Sequence, residues 1–338
     1  MAYYKTQNLI EDLVAERIVP GVNYAIIQKK HVLTATIGFS SILPKVSQLS
    51  PFFLYDLASL TKVLGTTNVF LQLYEQDRIN FNEPLQEFIP DFGSSKVRLF
   101  HLLTHTSGIR GWIPNRDALS ADQLLAALVD LPVTDEFEHR VRYADTNFIL
   151  LGLVLEKIFH LPVQQVITNQ ILMPLRKNGL SSLTFSPDPH KCVPTAYGAN
   201  GQIIQGVVHD PKARVLKEHC GSAGLFGNLE DLIAIGKSYL GLNDLLPIQQ
   251  ATLAALFSSK TPRRLASRSW GWDLRWDPYD QHPLLFHTGF TGTFLLFDRM
   301  HQTGLIVLTN RIHPSGHNQV FLTMRSRIIE QFLQENKN

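Results

Sequence analysis

The sequence predicts an α+β (mixed α/β) fold: one antiparallel β-sheet flanked by N- and C-terminal helices, with an all-helical lobe inserted into it. Three observations lead there. Short runs rich in Val, Ile, Thr, Tyr and Phe sit near both ends of the chain, and such runs bounded by turn residues read as strands. Between them, longer apolar-periodic runs read as helices. At 338 residues the chain exceeds the roughly 250–300 residues at which a single core stops growing, so two lobes are expected. The order then divides the chain. Residues 1–57 with 226–338 form the sheet-containing lobe, residues 58–225 the helical one, and the cleft between them is the expected place for a site.

Taken in order, residues 4–16 predict an amphipathic helix with Leu9, Ile10, Leu13 and Val14 on one side, ended by Pro20-Gly21. Residues 22–28 and 32–38 predict two strands joined by a Lys-Lys-His turn, and residues 39–51 a loop. A helix begins at Ser59. Val63, Leu64, Val69, Phe70, Leu71, Leu73 and Tyr74 cover most of its circumference, the pattern of a buried helix. Residues 97–108 open as a helix that Ser107-Gly108 stops, and residues 121–131, 146–159 and 163–172 predict three more. Residues 181–225 read as loop. Helices follow at 229–240 and 248–257, then strands at 284–287, 292–297 and 304–309. A last helix spans 319–334, with Val320, Met324, Ile328 and Phe332 as its stripe.

Composition excludes several classes. A net charge of +2 without a Lys/Arg cluster gives no case for a nucleic-acid partner. The chain has 13 His, but no His-Glu-x-x-His or comparable spacing, and no metal or cofactor is called for. Two cysteines, Cys192 and Cys220, make no disulfide framework and are expected free. There is no apolar run of about 18 residues and no signal-peptide plan, so no membrane span is expected. The expected place is the cytoplasm, or outside it if a leader has been removed. Oligomeric state is not legible.

The chemistry-bearing stretch is Ser59-Leu60-Thr61-Lys62. Residues three apart share a helix face, so the Lys62 ammonium lies beside the Ser59 hydroxyl. A neighbouring cation or amine activates a hydroxyl for nucleophilic attack. A buried helix that carries a Lys in its first turn also needs a reason for that Lys. Two further stretches stand out: Tyr143-Ala144-Asp145 ahead of a helix, and His287-Thr288-Gly289 on an expected strand. Taken alone, the first reads as a packed aromatic with an N-cap, the second as a strand edge bent at a glycine.

Ser-x-x-Lys, Tyr-x-Asp and His-Thr-Gly, in this order and at these separations, resemble the serine β-lactamase-like family of class C β-lactamases, D-alanyl-D-alanine carboxypeptidases and related esterases. The resemblance runs from about Lys5 to Leu333. It includes Arg98 with residues 101–108, Gly221-Ser222-Ala223-Gly224-Leu225-Phe226 and Thr309-Asn310-Arg311. It implies a β-lactamase/transpeptidase-like fold and a serine hydrolase that cleaves an amide or ester through an acyl-Ser59 intermediate. On matching positions it implies Ser59 as nucleophile, Lys62 as its partner and Tyr143 as general base. Asp145, where many members have Asn, would orient the other two. The amides of Ser59 and Phe290 would form the oxyanion hole, and His287, Thr288 and Gly289 would bind substrate. The implied partner is a small-molecule or peptide/ester substrate, plausibly with a D-amino-acid group. The alternatives are a carboxylesterase, a D-alanyl esterase, or a penicillin-binding module with little turnover. Two departures matter. His287 replaces a fixed cation, which weakens the case for reading a substrate carboxylate. Asp145 adds negative charge beside Lys62, which favours the ammonium and leaves Tyr143 as the better base. His105 and Ser107 read as structural, His209-Asp210-Pro211 as either cleft lining or a plain turn, and Trp112 as either a wall of the site or plain packing.

Overall fold

A computed structural model describes residues 3–198, 201–314, 316 and 318–337. Its centre is a seven-stranded antiparallel sheet made from both chain ends. The strands are β1 (Gly21–Gln28), β2 (His31–Ser41), β3 (Ser47–Gln48), β6 (Asp273–Trp276), β7 (Pro283–Thr288), β8 (Phe294–Asp298) and β9 (Thr303–Thr309), in the order β3-β2-β1-β9-β8-β7-β6. β4 (Tyr55–Asp56) and β5 (Phe226–Gly227) form a separate two-stranded pair. The two termini meet in the middle of the large sheet, where β1 pairs with β9.

Side chains alternate across a strand, and here both faces are covered. Val22, Tyr24, Ile26, Phe294, Leu296, Leu305 and Val307 face the terminal helices, where Ile10 and Leu13 meet Phe321, Ile328 and Phe332. Ala25, Ile27, Leu295, Phe297, Ile306 and Leu308 face the other way, into the main core with Ile235, Tyr239, Phe70 and Val69. Double coverage is why β8 and β9 read as unbroken apolar runs.

The helix after Ser59 is buried, Lys62 included, although Tyr74 near its end is exposed. Its first turn, Lys62–Thr66, is wound as a π-turn before the α-helix Thr67–Glu75, a local widening frequent at functional sites. Gly65 gives Ile167 room there: an added Cβ would lie 3.1 Å from Ile167 Cγ2.

Several expectations change. The predicted loop at 39–51 holds the end of β2 and all of β3. The predicted three-residue turn after β1 shortens to Lys29-Lys30, because His31 already pairs with Gln28. The strand β6 escaped notice because Asp273-Leu274-Arg275-Trp276 is short and half charged; it is fixed by its register against β7. The loop-rich 181–225 stretch contains a helix, Pro211–Leu216, whose N-cap Asp210 accepts a hydrogen bond from the Ala213 N–H at 2.8 Å. In the last helix, Phe321 rather than Val320 starts the buried stripe, and Val320 is exposed. Both cysteines are free and buried. Among the described residues no single helix is long and apolar enough to cross a membrane. One bent pair, Asp145–Phe159 with Val163–Lys177, passes on length and composition, but Phe148, Leu150, Leu151, Val154 and Ile167 on it belong to the main core.

Candidate active site

Ser59 sits on the turn that leads from β4 into the buried helix. The turn is held on every side. Asp56 Oδ1 accepts the Ala58 N–H at 2.9 Å, and Thr61 Oγ1 donates to the Ala58 carbonyl at 2.7 Å. Thr61 Oγ1 in turn accepts the Leu225 N–H at 3.1 Å, beside the β4–β5 pair. Ala58 takes φ 48°, the left-handed region that a non-glycine residue enters only when its surroundings dictate it. Burial pushes the Asp56 carboxyl up to about 6, against the His209 and Ala58 amides that favour its charged form.

Lys62 is fully buried and makes three contacts: Ser59 Oγ at 2.9 Å, the Ser222 carbonyl at 2.8 Å and Asp145 Oδ1 at 2.9 Å. Burial alone would press its ammonium downward. Asp145, then the Tyr143 hydroxyl, outweigh burial and hold it above the ordinary lysine value. Asp145 has a second cation, since its Oδ2 accepts from Lys212 Nζ at 2.8 Å. Burial would raise the Asp145 carboxyl, but Lys62 and Lys212 together hold it well below the usual carboxylate range. Lys212 comes from the unpredicted Pro211–Leu216 helix and carries no motif.

Tyr143 is half exposed, its ring 5.3 Å from Lys62 Nζ. His105 backs it, ring centroids 4.5 Å apart. His105 Nδ1 accepts from Asn147 Nδ2 at 2.9 Å and from the Ala144 N–H at 3.3 Å, while Ser107 Oγ donates to Asn147 Oδ1 at 2.7 Å. His105 and Ser107 thus brace the segment that presents Tyr143 and Asp145, the structural part expected of them.

His287 lies on β7, with Nδ1 3.1 Å from the Thr288 carbonyl. A carbonyl only accepts, so the proton sits on Nδ1 and the lone pair on Nε2, which has no partner. Burial, then Arg268 and Lys62, push His287 well below the usual histidine value, so the ring is neutral. The fixed cation of this corner is Arg268, which motif reading missed. It is 7% exposed, with its guanidinium carbon 6.0 Å from the Tyr143 ring centre. Its contacts are long, 3.5 Å to Asp273 and 3.4 Å to the Gly271 carbonyl, and its Nε has no partner.

The loop after β7 brings Phe290 to Ser59. Thr291 Oγ1 donates to the Asp56 carbonyl at 2.7 Å, Arg311 Nε donates to the Phe290 carbonyl at 2.9 Å, and Thr309 Oγ1 donates to the Gly292 carbonyl at 3.3 Å. Gly289 must be glycine, because a Cβ would fall 2.7 Å from the Leu57 carbonyl oxygen. Among the described residues, neither the Ser59 nor the Phe290 amide N–H has a protein acceptor. The cavity over these groups measures about 590 Å³ and is lined by Ser59, Tyr143, Arg268, His287, Thr288 and Phe290, and by His209, Asp210 and Pro211, with the His209 ring stacked on that of Phe290. Gly289 does not line the cavity, and neither does Trp112, which is 77% exposed. A hydroxyl beside an ammonium, a phenol, two available amides and a cation at one end form a set suited to acyl transfer.

The sequence matches the family model described as Beta-lactamase over residues 6–323. The chain belongs to the beta-lactamase family. It is accordingly an enzyme of the serine-hydrolase type. An N-acetylmuramyl-L-alanine amidase of Bacillus subtilis (strain 168) is 24% identical over 362 residues, covering 91% of this chain and 81% of that protein. Among solved structures, a class C beta lactamase from Rhodobacter sphaeroides superposes with a TM-score of 0.78 at 17% identity, over 98% of this chain and 99% of that one. EstCE1, a hydrolase with promiscuous acyltransferase activity, gives 0.76 at 19% identity, over 99% and 98%. At such identities the family's fold is shared: an antiparallel sheet with helices on both faces.

Proposed function

We propose that this beta-lactamase-family enzyme cleaves an amide or ester through an acyl-Ser59 intermediate formed in the cleft between the 58–225 lobe and the sheet. One observation carries the reading. Lys62 is an ammonium with three N–H donors, and two of its partners, Asp145 and the Ser222 carbonyl, can only accept. Ser59 Oγ, 2.9 Å away, accepts an N–H from it as well, which leaves the hydroxyl proton free to go to another base. Tyr143, whose ring stands 5.3 Å from that ammonium, is the group that takes the proton while Ser59 Oγ bonds to the carbonyl carbon. The amides of Ser59 and Phe290 hold the oxyanion. Tyr143 then returns the proton to the departing amine or alcohol, and water releases the acid by the same steps in reverse.

A cavity of about 590 Å³ suits a small molecule or a short peptide-like ester. Arg268, with an unpartnered Nε, suits a substrate that carries a carboxylate, as a terminal D-amino acid would. The amidase name of the Bacillus subtilis relative fits cleavage of an amide. The test is covalent labelling with a fluorophosphonate and with a penicillin, read by intact-protein mass spectrometry beside hydrolysis of nitrocefin, p-nitrophenyl acetate and a D-Ala-D-Ala peptide. One adduct is expected, absent from Ser59→Ala. Labelling that persists in Ser59→Ala overturns the nucleophile. A stable penicillin adduct without turnover of any substrate points instead to a binding module.

A further inference from the structure

At the end of the sheet remote from Ser59, the turn from β6 to β7 and the turn from β8 to β9 lie side by side, because β7 and β8 are paired. They bring together Asp280 and His282 from the first turn and Asp298 and His301 from the second. We infer that Asp280, His282 and His301 form a binding site for a divalent transition metal of the zinc type, with Asp298 as the buried carboxylate that orients both imidazoles.

One ligand atom from each of Asp280, His282 and His301 lies within 4.8 Å of the other two. Asp298 is fully buried and accepts from both rings: Oδ1 lies 2.9 Å from His282 Nε2, and Oδ2 lies 2.7 Å from His301 Nδ1. A carboxylate only accepts, so those nitrogens carry ring protons, and in the neutral rings that bind a metal the lone pairs fall on His282 Nδ1 and His301 Nε2. A carboxylate behind each metal-binding imidazole is the usual outer-shell arrangement of zinc sites. One detail separates this cluster from an ordinary hydrogen-bond network: His282 is 6% exposed, and its Nδ1 has no partner. His301 Nε2 faces Asp280 Oδ2 at 3.2 Å, a pair that is joined either by a second ring proton on His301 or by a cation that takes its place. That spacing is close to the roughly 3.3 Å between two ligands of a tetrahedral zinc with bonds of about 2.0–2.1 Å.

The supports are rigid. Asp277 is buried, and its Oδ1 accepts the Tyr279 and Asp280 amides at 2.8 Å each, which fixes the turn that carries Asp280 and His282. Asp277 also stands within reach of His282 and Asp298, behind the three ligands. Asn336 near the chain end donates to Asp298 Oδ2 at 2.9 Å and accepts from the Tyr3 hydroxyl at 2.8 Å. Two imidazoles with carboxylates select zinc-like ions over magnesium or calcium, which prefer oxygen ligands alone. Such an ion clips two hairpins and, through Asp298, both termini. Its role is structural and independent of the chemistry at Ser59.

The test strips the whole chain with a chelator, dialyses it against zinc, and measures bound metal by mass spectrometry together with a thermal melt. The expected result is one zinc per chain, a higher melting temperature with zinc, and visible cobalt(II) absorption when cobalt replaces it. Asp280→Ala and His301→Ala, both on partly exposed side chains, should fold without metal and lose stoichiometric zinc, its stabilisation and the cobalt bands. Either no zinc above background in the unaltered chain, or unchanged stoichiometry in the Asp280→Ala/His301→Ala double variant, overturns the site. The second result would place the zinc on other histidines.

Discussion

The two walls of the cavity treat charge in opposite ways. Behind one, where Asp145 reaches the cavity, Lys62, Asp145 and Lys212 form a row of alternating charges joined by contacts of 2.9 and 2.8 Å, and Lys62 has all three donors engaged. On the other, Arg268 makes only contacts of 3.4 and 3.5 Å, and both its Nε and His287 Nε2 are without partners. A buried charge with its hydrogen bonds satisfied is fixed in place, whereas one with donors to spare gains more from an incoming ligand. The first wall is therefore suited to chemistry that must not reorganise. The second is suited to recognition.

The sharpest way to break this division is Tyr143→Phe. If the Lys62 wall holds the ammonium permanently and Tyr143 is the base, single-turnover acylation by a chromogenic ester falls on the order of a hundredfold to ten-thousandfold. The ring remains, so its contacts with His105 and Lys62 should persist and the melt should be unchanged. Acylation within threefold of the unaltered enzyme, with a normal melt, would leave Lys62 as the only base and erase the contrast between the walls.

The second wall is tested by Arg268→Gln beside His287→Ala. Hydrogen bonds to a charged group contribute about 1.5–3 kcal/mol, so loss of Arg268 should lower kcat/KM for a carboxylate-bearing β-lactam roughly tenfold to a hundredfold more than for p-nitrophenyl acetate. Neutral His287 should affect both substrates alike. A selective loss in His287→Ala and none in Arg268→Gln would return the carboxylate to the histidine.

The same contrast explains what could be read in the sequence. Ser59 and Lys62 were legible because one helix turn fixes their relation, and β7, β8 and β9 because burial on both faces leaves apolar runs. His287 was legible as a strand position, but the conclusion that it lacks charge needed the neighbours that bury it. Arg268 and Lys212 were not legible. One sits just ahead of a strand too short and charged to notice, the other on a helix hidden in a loop-like stretch, and only the pairing of β6 with β7 and the Asp210 cap bring them to the cavity. Asp280, His282 and His301 escaped for the same reason, since their approach depends on hairpin register. Trp112, expected as either a wall of the site or plain packing, is neither: it does not line the cavity and is 77% exposed.

The mildest test asks whether Lys212 belongs to the chemistry or only to the fold. Lys212→Gln keeps a hydrogen-bond donor near Asp145 but removes one of its two cations. The folded-state Asp145 carboxyl is depressed, so its ion-pair contribution is fully present above the unfolded value of about 3.9 and is lost as pH falls through the folded one. Lys212 is the mirror case. Its folded value is raised by Asp145 and then Asp210, against burial, so its contribution is fully present below the unfolded value of about 10.4 and lost as pH rises through the folded one. The stability difference between the unaltered enzyme and Lys212→Gln should therefore be flat from about pH 5 to pH 10 and shrink on both sides. Both partners are under one-third exposed, and Asp145 keeps Lys62, so the plateau should be about 1–3 kcal/mol rather than the larger cost of a fully unpaired buried ion. Acylation at pH 7 should stay within a few-fold, because Lys62 keeps its contacts with Ser59, Ser222 and Asp145. Asp145→Asn supplies the control: it leaves Lys212 with Asp210 alone, at 3.6 Å, and adding Lys212→Gln should recover part of the lost stability. A denaturant series across pH for the four proteins, with acylation rates alongside, decides it. A tenfold or greater fall in acylation in Lys212→Gln with no change in stability would make Lys212 a participant in proton transfer and not a prop for Asp145.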